Sequence, residues 1–128
     1  MFSDQPTTKV IASFAGFDVA RTSDKSAIVM VDHLSDGTYF VRDILVMSNM
    51  KYADQMDIVK NLYKKEQWAS AYVDAVGLGG PVAEQLHDNV SARIKPFQWT
   101  ESTKSPAYEH LRSMVFDHKI VFSQNIKD

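Results

Sequence analysis

Hydrophobic and polar positions along this chain switch between two periods. Residues 10–19 are an apolar segment that reads as a strand. A short polar loop at 20–25 leads to a second strand at 26–33. Asp36 and Gly37 form a strong hairpin signal, and a third strand follows at 38–46, with Tyr39, Val41 and Ile44 as strand formers. The period then changes. Over 50–67, Tyr52, Met56, Val59 and Tyr63 recur at helical spacing while Lys60, Lys64 and Lys65 occupy other faces. Ser48 or Asn49 is the expected cap of this helix. Residues 69–75 read as a short buried strand, broken by glycines at 77–80. Pro81 is expected to start a second helix with Val82, Ala83 and Leu86 on its inner face. Residues 92–99 read as a strand. Ser105 and Pro106 are expected to open a third helix, on which Tyr108, Leu111, Met114 and Val115 form one stripe. A last short strand is expected at 119–123.

The order is β-β-β-α-β-α-β-α plus a terminal strand. An antiparallel meander followed by strand–helix units implies an α/β mixed sheet with helices on its faces. This order resembles the ribonuclease-H-like fold, in which the spatial strand order is 3-2-1-4-5. The first and fourth strands are then parallel neighbours. That resemblance sets Asp18 and Asp74 together at the carboxyl ends of adjacent strands, where open α/β sheets usually bind ligands.

Composition adds bounds. The chain has 128 residues, 45% hydrophobic and 23% charged, which suits one globular domain spanning 1–128. It has no cysteine, so disulfides and thiolate metal sites are excluded. No apolar run approaches the ~20 residues of a membrane span, and the N-terminus lacks the apolar core of a signal peptide. The net charge of -2 argues against nucleic-acid binding by bulk charge, while leaving room for a local basic patch beside an acidic site.

The chemistry concentrates in Asp18 and Asp74. Each ends an apolar strand, where aspartate is disfavoured and costly to bury as an ion. One such residue reads as a turn cap; two at neighbouring strand ends read as a site. Close carboxylates repel each other, and a hard divalent cation such as Mg²⁺ or Mn²⁺ removes that conflict. Two ions about 3.5–4 Å apart suit phosphodiester cleavage. The segment Gly77-Leu78-Gly79-Gly80 matches neither the dinucleotide fingerprint nor a P-loop. It reads as a tight turn that also lets a nucleic-acid phosphate approach a helix start. Asp24 sits on the 20–25 loop, as a turn residue or a group behind the metal ligands. Arg21, Lys25 and Lys104 are candidate DNA contacts, because their loops lie near the strand ends. Arg93 and Lys95 read as solvated charges. His33, His87, His110 and His118 share no ligand spacing and read as surface or interface residues. Trp99 and the Met and Phe positions read as core.

The stretch Gly16-Phe17-Asp18-Val19-Ala20-Arg21-Thr22-Ser23-Asp24-Lys25-Ser26 resembles the first motif of the nuclease domain of phage terminase large subunits. The stretch from Tyr72 through Asp74 to Ala83 resembles the second. Pro96-Phe97, Lys104 and residues 108–120 resemble the closing segment. The resemblance implies a metal-dependent endonuclease that cuts double-stranded DNA during genome packaging with two Mg²⁺ or Mn²⁺ ions. It maps the first two acidic ligands to Asp18 and Asp74. It further implies a bacterial host cytoplasm, phage or prophage origin, and portal protein, small terminase subunit and an ATPase motor as partners. The family's third acid comes from a later helix, and Glu109, Asp117 and Asp128 do not match it. The domain is therefore expected to lack its C-terminal part and to act weakly alone. Rival readings are a non-catalytic packaging or DNA-binding module of the same fold, a Holliday-junction resolvase, and an actin-like or sugar-kinase ATP-binding half. For the last, Gly16-Phe17-Asp18 resembles the phosphate motif but Ala20 replaces a glycine.

Overall fold

A computed structural model describes residues 2–3, 8–19, 25–74, 79–97 and 101–126. The elements are β1 (Phe2–Ser3), β2 (Val10–Asp18), β3 (Lys25–Leu34), β4 (Tyr39–Ser48), α1 (Tyr52–Glu66), β5 (Ser70–Asp74), α2 (Gly79–Asn89), β6 (Ile94–Phe97), α3 (Glu101–Phe116) and β7 (Ile120–Ser123). The strands form one seven-stranded sheet in the order β1-β7-β4-β3-β2-β5-β6. Its middle, β4-β3-β2-β5-β6, is the 3-2-1-4-5 order expected of a ribonuclease-H-like fold. β2, β3 and β4 pair antiparallel, and β5 joins β2 in parallel. The terminal strand β7 adds parallel to β4, and β1 adds parallel to β7.

Strict alternation along β3 shows how the sheet divides its faces. Ser26, Ile28, Met30, Asp32 and Leu34 are buried, and the residues between them are half-buried. On the buried face, Ala15, Phe17, Ile28, Ala71 and Val73 pack with Val59 of α1 and with Val82, Ala83 and Leu86 of α2. Trp68, just after α1, is 1% exposed and is the largest fully buried side chain among the described residues. The opposite face carries Ile44, Val46 and Tyr72, all exposed.

Several boundaries differ from expectation. Neither Ser48 nor Asn49 caps α1. Ser48 ends β4, and Asn49 adopts a left-handed φ of 52°, a conformation asparagine tolerates at a sharp turn. Lys51 is the N-cap and makes no side-chain cap bond. α2 starts at Gly79 rather than Pro81, with the proline still in the first turn, where backbone N–H groups lack intrahelical partners. α3 starts at Glu101 and contains Pro106. A proline in the second turn removes a single N–H donor and crowds the carbonyl four residues before it, and α3 continues through it. On the α3 stripe, Leu111 and Val115 are exposed and Met114 half-buried, and Phe116 beside them is 80% exposed, because helical spacing makes a face apolar without deciding what covers it. Phe116 also departs from the expectation that the Phe positions are core. Trp99 lies outside the described residues. Among the described residues no helix is long and apolar enough to cross a membrane.

Candidate active site

Strand β2 ends in Asp18 and strand β5 ends in Asp74. Their parallel register runs Phe14↔Ser70, Ala15↔Ala71, Gly16↔Tyr72 and Phe17↔Val73. The next pair in that register is Asp18 and Asp74, on backbones roughly 4.8 Å apart. Phe17 and Val73 point into the core, so the aspartates that follow them point to the open face. Asp18 is exposed and Asp74 half-buried. Both line a cavity of about 740 Å³, together with Gly16, Phe17, Ala27, Val29, Tyr72 and Phe97. The lining side chains are therefore apolar apart from the paired carboxylates and the Tyr72 hydroxyl.

The other candidates divide. Lys25 opens β3 and is exposed, at the Asp18 end of the sheet, since Asp18 pairs with Ala27. Gly79 is the first residue of α2, and Lys104 falls in the first turn of α3. Arg21, Asp24 and Gly77 lie outside the described residues. Arg93 precedes β6 and so sits at the opposite end of the sheet from the Asp74–Phe97 pair. The histidines behave as read. His33 stacks on Tyr39 with ring centroids 4.5 Å apart, His87 meets the Ile94 carbonyl through Nδ1 at 2.9 Å, and His110 and His118 are exposed. Among the described residues no group of three or more His, Cys, Asp or Glu side chains could hold a metal ion.

Sequence reasoning missed an ionic cluster at the far end of the sheet. Ser13 Oγ donates to Asp32 Oδ1 at 2.8 Å and Arg42 Nε donates to Asp32 Oδ2 at 3.0 Å. The Arg42 guanidinium also grips Glu66 with two bonds, at 3.1 and 3.0 Å. Burial alone would pull the Arg42 pKa down, but the charges of Asp32 and Glu66 outweigh it and hold the pKa above its ordinary value. The available signal was the alternation of β3, which turns Asp32 inward. Ser13 is five residues before Asp18, roughly 17 Å along the strand, so this cluster braces the fold and does not reach the carboxylate pair. The reading also singled out neither Val29 nor Tyr72 as site residues. Tyr72 lies two positions before Asp74, as Gly16 lies two before Asp18, and residues two apart on a strand share a face.

The mixed sheet, with its β4-β3-β2-β5-β6 core and flanking helices, has the ribonuclease-H-like fold. Residues 15–124 match the sequence model of the terminase RNaseH-like domain, and the chain belongs to that family. Among solved structures it is similar to the large terminase of bacteriophage HK97, with a TM-score of 0.72 and 12% identity over 93% of this chain and 31% of that one. It is similar to the large terminase nuclease of thermophilic phage G20c with bound magnesium, with a TM-score of 0.69 and 18% identity over 95% of this chain and 61% of that one. It is also similar to the large terminase nuclease domain of bacteriophage SPP1 with bound Mn, with a TM-score of 0.69 and 17% identity over 96% of this chain and 70% of that one. At these identities the likeness is one of fold. The chain thus spans about a third of the HK97 protein and under two thirds of the G20c nuclease chain. No curated protein sequence matches it.

Proposed function

We propose that residues 1–128 form one metal-dependent endonuclease domain of a viral DNA-packaging terminase, cutting double-stranded DNA, with Asp18 and Asp74 as the metal-binding catalytic pair. The observation that carries this reading is the in-register parallel pairing of β2 and β5, which aligns the two strand ends on one face above a cavity. The donor set fits the chemistry. Two carboxylates on neighbouring strands repel each other unless a cation lies between them, and hard oxygen donors suit Mg²⁺ or Mn²⁺. The G20c and SPP1 nucleases, crystallised with magnesium and Mn, add support by analogy. When bound, two such ions would supply an activated water and charge compensation at the leaving oxygen.

The chain's own residues would do the rest. Asp18 and Asp74 would fix the cations and, through them, the scissile phosphate. Lys25, with Arg21 and Lys104, would draw the DNA backbone toward the acidic pair. The start of α2 at Gly79, with Gly77 before it, would offer N–H groups to a neighbouring phosphate. Asp24 would stand behind the ligands. Portal protein, small terminase subunit and an ATPase motor are the proposed partners, and a phage-infected or prophage-bearing bacterial cytoplasm the proposed setting.

Two carboxylates predict weak binding of metal and slow cleavage, better supported by Mn²⁺ than by the strictly octahedral Mg²⁺. The test is calorimetry with Mn²⁺ and supercoiled-plasmid nicking with each metal, on wild type, Asp18→Asn and Asp74→Asn. Heat and nicking should disappear in both variants, with circular dichroism unchanged. Equal heats in all three proteins would remove Asp18 and Asp74 as ligands. A non-catalytic DNA-binding module is the second reading, favoured by the absence of a third acidic partner among the described residues. DNA binding without nicking in either metal would select it.

A further inference from the structure

On the open face, two rows of side chains cross the sheet. The outer row is Ala27, Asp18, Asp74 and Phe97, and the inner row is Val29, Gly16 and Tyr72, each set fixed by the strand registers. Rows two residues apart lie roughly 6.6 Å from each other. The inner row therefore sits one short step behind the carboxylates, inside the same cavity.

Gly16 forms the floor of a slot there. A Cβ added to it would meet nothing within 4 Å. Its φ is not among the positive values found for described glycines. No turn, close packing or backbone conformation among the described residues calls for glycine, and glycine weakens a strand interior. Such a glycine marks a place where a ligand comes close. The slot has two walls. Tyr72 stands on one side, 45% exposed, and Val29 on the other, with the β3 and β5 backbones roughly 9.6 Å apart across β2. Phe97 packs on Tyr72 with ring centroids 6.0 Å apart and planes at 86°, and Tyr72 lines the same cavity as Gly16 and Val29. A flat, apolar group is what this shape accepts.

We infer that Gly16, Val29 and Tyr72 form a subsite for one unstacked nucleobase of the DNA, next to the phosphate held at Asp18 and Asp74. The subsite rests on the nuclease reading above. The base is the flat apolar part of DNA, and it hangs from the phosphate that the carboxylate pair would position. A base inside a duplex keeps both faces stacked, so it must leave the helix to enter the slot. An already unpaired base pays the smallest unstacking cost. The domain should therefore prefer duplexes with an unpaired nucleotide beside the bound phosphate. Base–aromatic stacking of the usual strength makes that preference about tenfold in affinity.

The test compares a fully paired duplex with one carrying a single bulged 2-aminopurine. Anisotropy reads affinity in Ca²⁺ and 2-aminopurine fluorescence reads stacking. Wild type should bind the bulged duplex about tenfold more tightly and quench the probe. Tyr72→Phe should keep both signals, because the ring remains. Tyr72→Ala should bring the affinity ratio near one and leave the probe bright. Gly16→Val fills the slot with a good strand former, should melt no lower than wild type, and should also bring the ratio near one. A wild-type ratio near one, or a ratio that survives in both Tyr72→Ala and Gly16→Val, overturns the subsite alone. Failure of wild type to bind either duplex overturns the nuclease reading with it.

Discussion

Arg42 is the residue on which the end of the sheet away from the carboxylate pair depends. It is the ionic link between two carboxylates whose side chains are only 6% and 16% exposed. Removing one partner of such a set leaves a poorly hydrated charge, which costs more than the pair contributed. Arg42→Met should therefore lower stability by about 2–3 kcal/mol, less than a fully buried pair would lose because Arg42 is a third exposed. Urea denaturation would measure it, and an unchanged midpoint would mean that Asp32 and Glu66 find other donors. Asp36 offers a pH-dependent counterpart in the β3–β4 turn. Its carboxylate accepts from Thr38 Oγ1 at 2.6 Å and from the Thr38 N–H at 2.9 Å. These bonds hold its pKa below the ordinary 3.8. A folded pKa below the unfolded one stabilises the turn fully above pH 3.8 and loses that support as pH falls through the folded value. Thr38→Ala removes the larger cause, so the NMR titration midpoint of Asp36 should move up toward 3.8. A midpoint that stays put would assign the shift to the backbone donor.

At the scale of elements, α1 shows how a helix forms without its best cap. Lys51 has the extended backbone of an N-cap, at φ -65° and ψ 150°, but its side chain makes no cap bond. A lysine there also sets positive charge against the positive end of the helix dipole. The helix persists because Val59 and Gln55 are each 2% exposed, Gln55 Nε2 donates to the Met50 carbonyl at 2.7 Å, and Gln67 closes the last turn at φ 53° with its N–H on the Tyr63 carbonyl. Tertiary packing outweighs a missing cap worth about 1 kcal/mol. Lys51→Asp should recover roughly that amount, because aspartate accepts from the first-turn N–H groups and reverses the charge. Thermal melts would show a midpoint raised by a few degrees, and a lowered midpoint would mean that Lys51 serves another contact.

For the whole molecule, strand order does the decisive work. Asp18 and Asp74 are far apart in sequence, yet the chain returns after α1 to lay β5 beside β2 in parallel. A right-handed crossover through a helix is the usual way to make that connection. Helices α1 and α2 then cover one face and leave the carboxylates on the other, beside a cavity whose floor is a glycine. Placing β7 on β4 extends the sheet at the edge away from the site, so the carboxylate pair stays near the β6 edge.

Local physics made much of this legible in the sequence. Period-2 and period-3.6 patterns located the helices and every strand but β1 to within a few residues, because alternation and helical spacing are properties of the chain itself; β1, two residues long, is too short to show a period. Aspartates ending apolar strands were visible for the same reason, since charge at a strand end needs a local explanation. What the sequence left open depends on packing between distant segments. The apolar stripe on α3 is legible in the sequence, but a stripe does not say what covers it. Asp32 reads as one more strand residue until Arg42 and Glu66 arrive from other elements to satisfy it. The start of α3 before Pro106 shows that a proline marks a helix's first turn only by preference, and the surrounding structure decides where the helix begins. The slot over Gly16 exists only because β2, β3 and β5 lie in register, and register is decided when both faces of the sheet compete for burial.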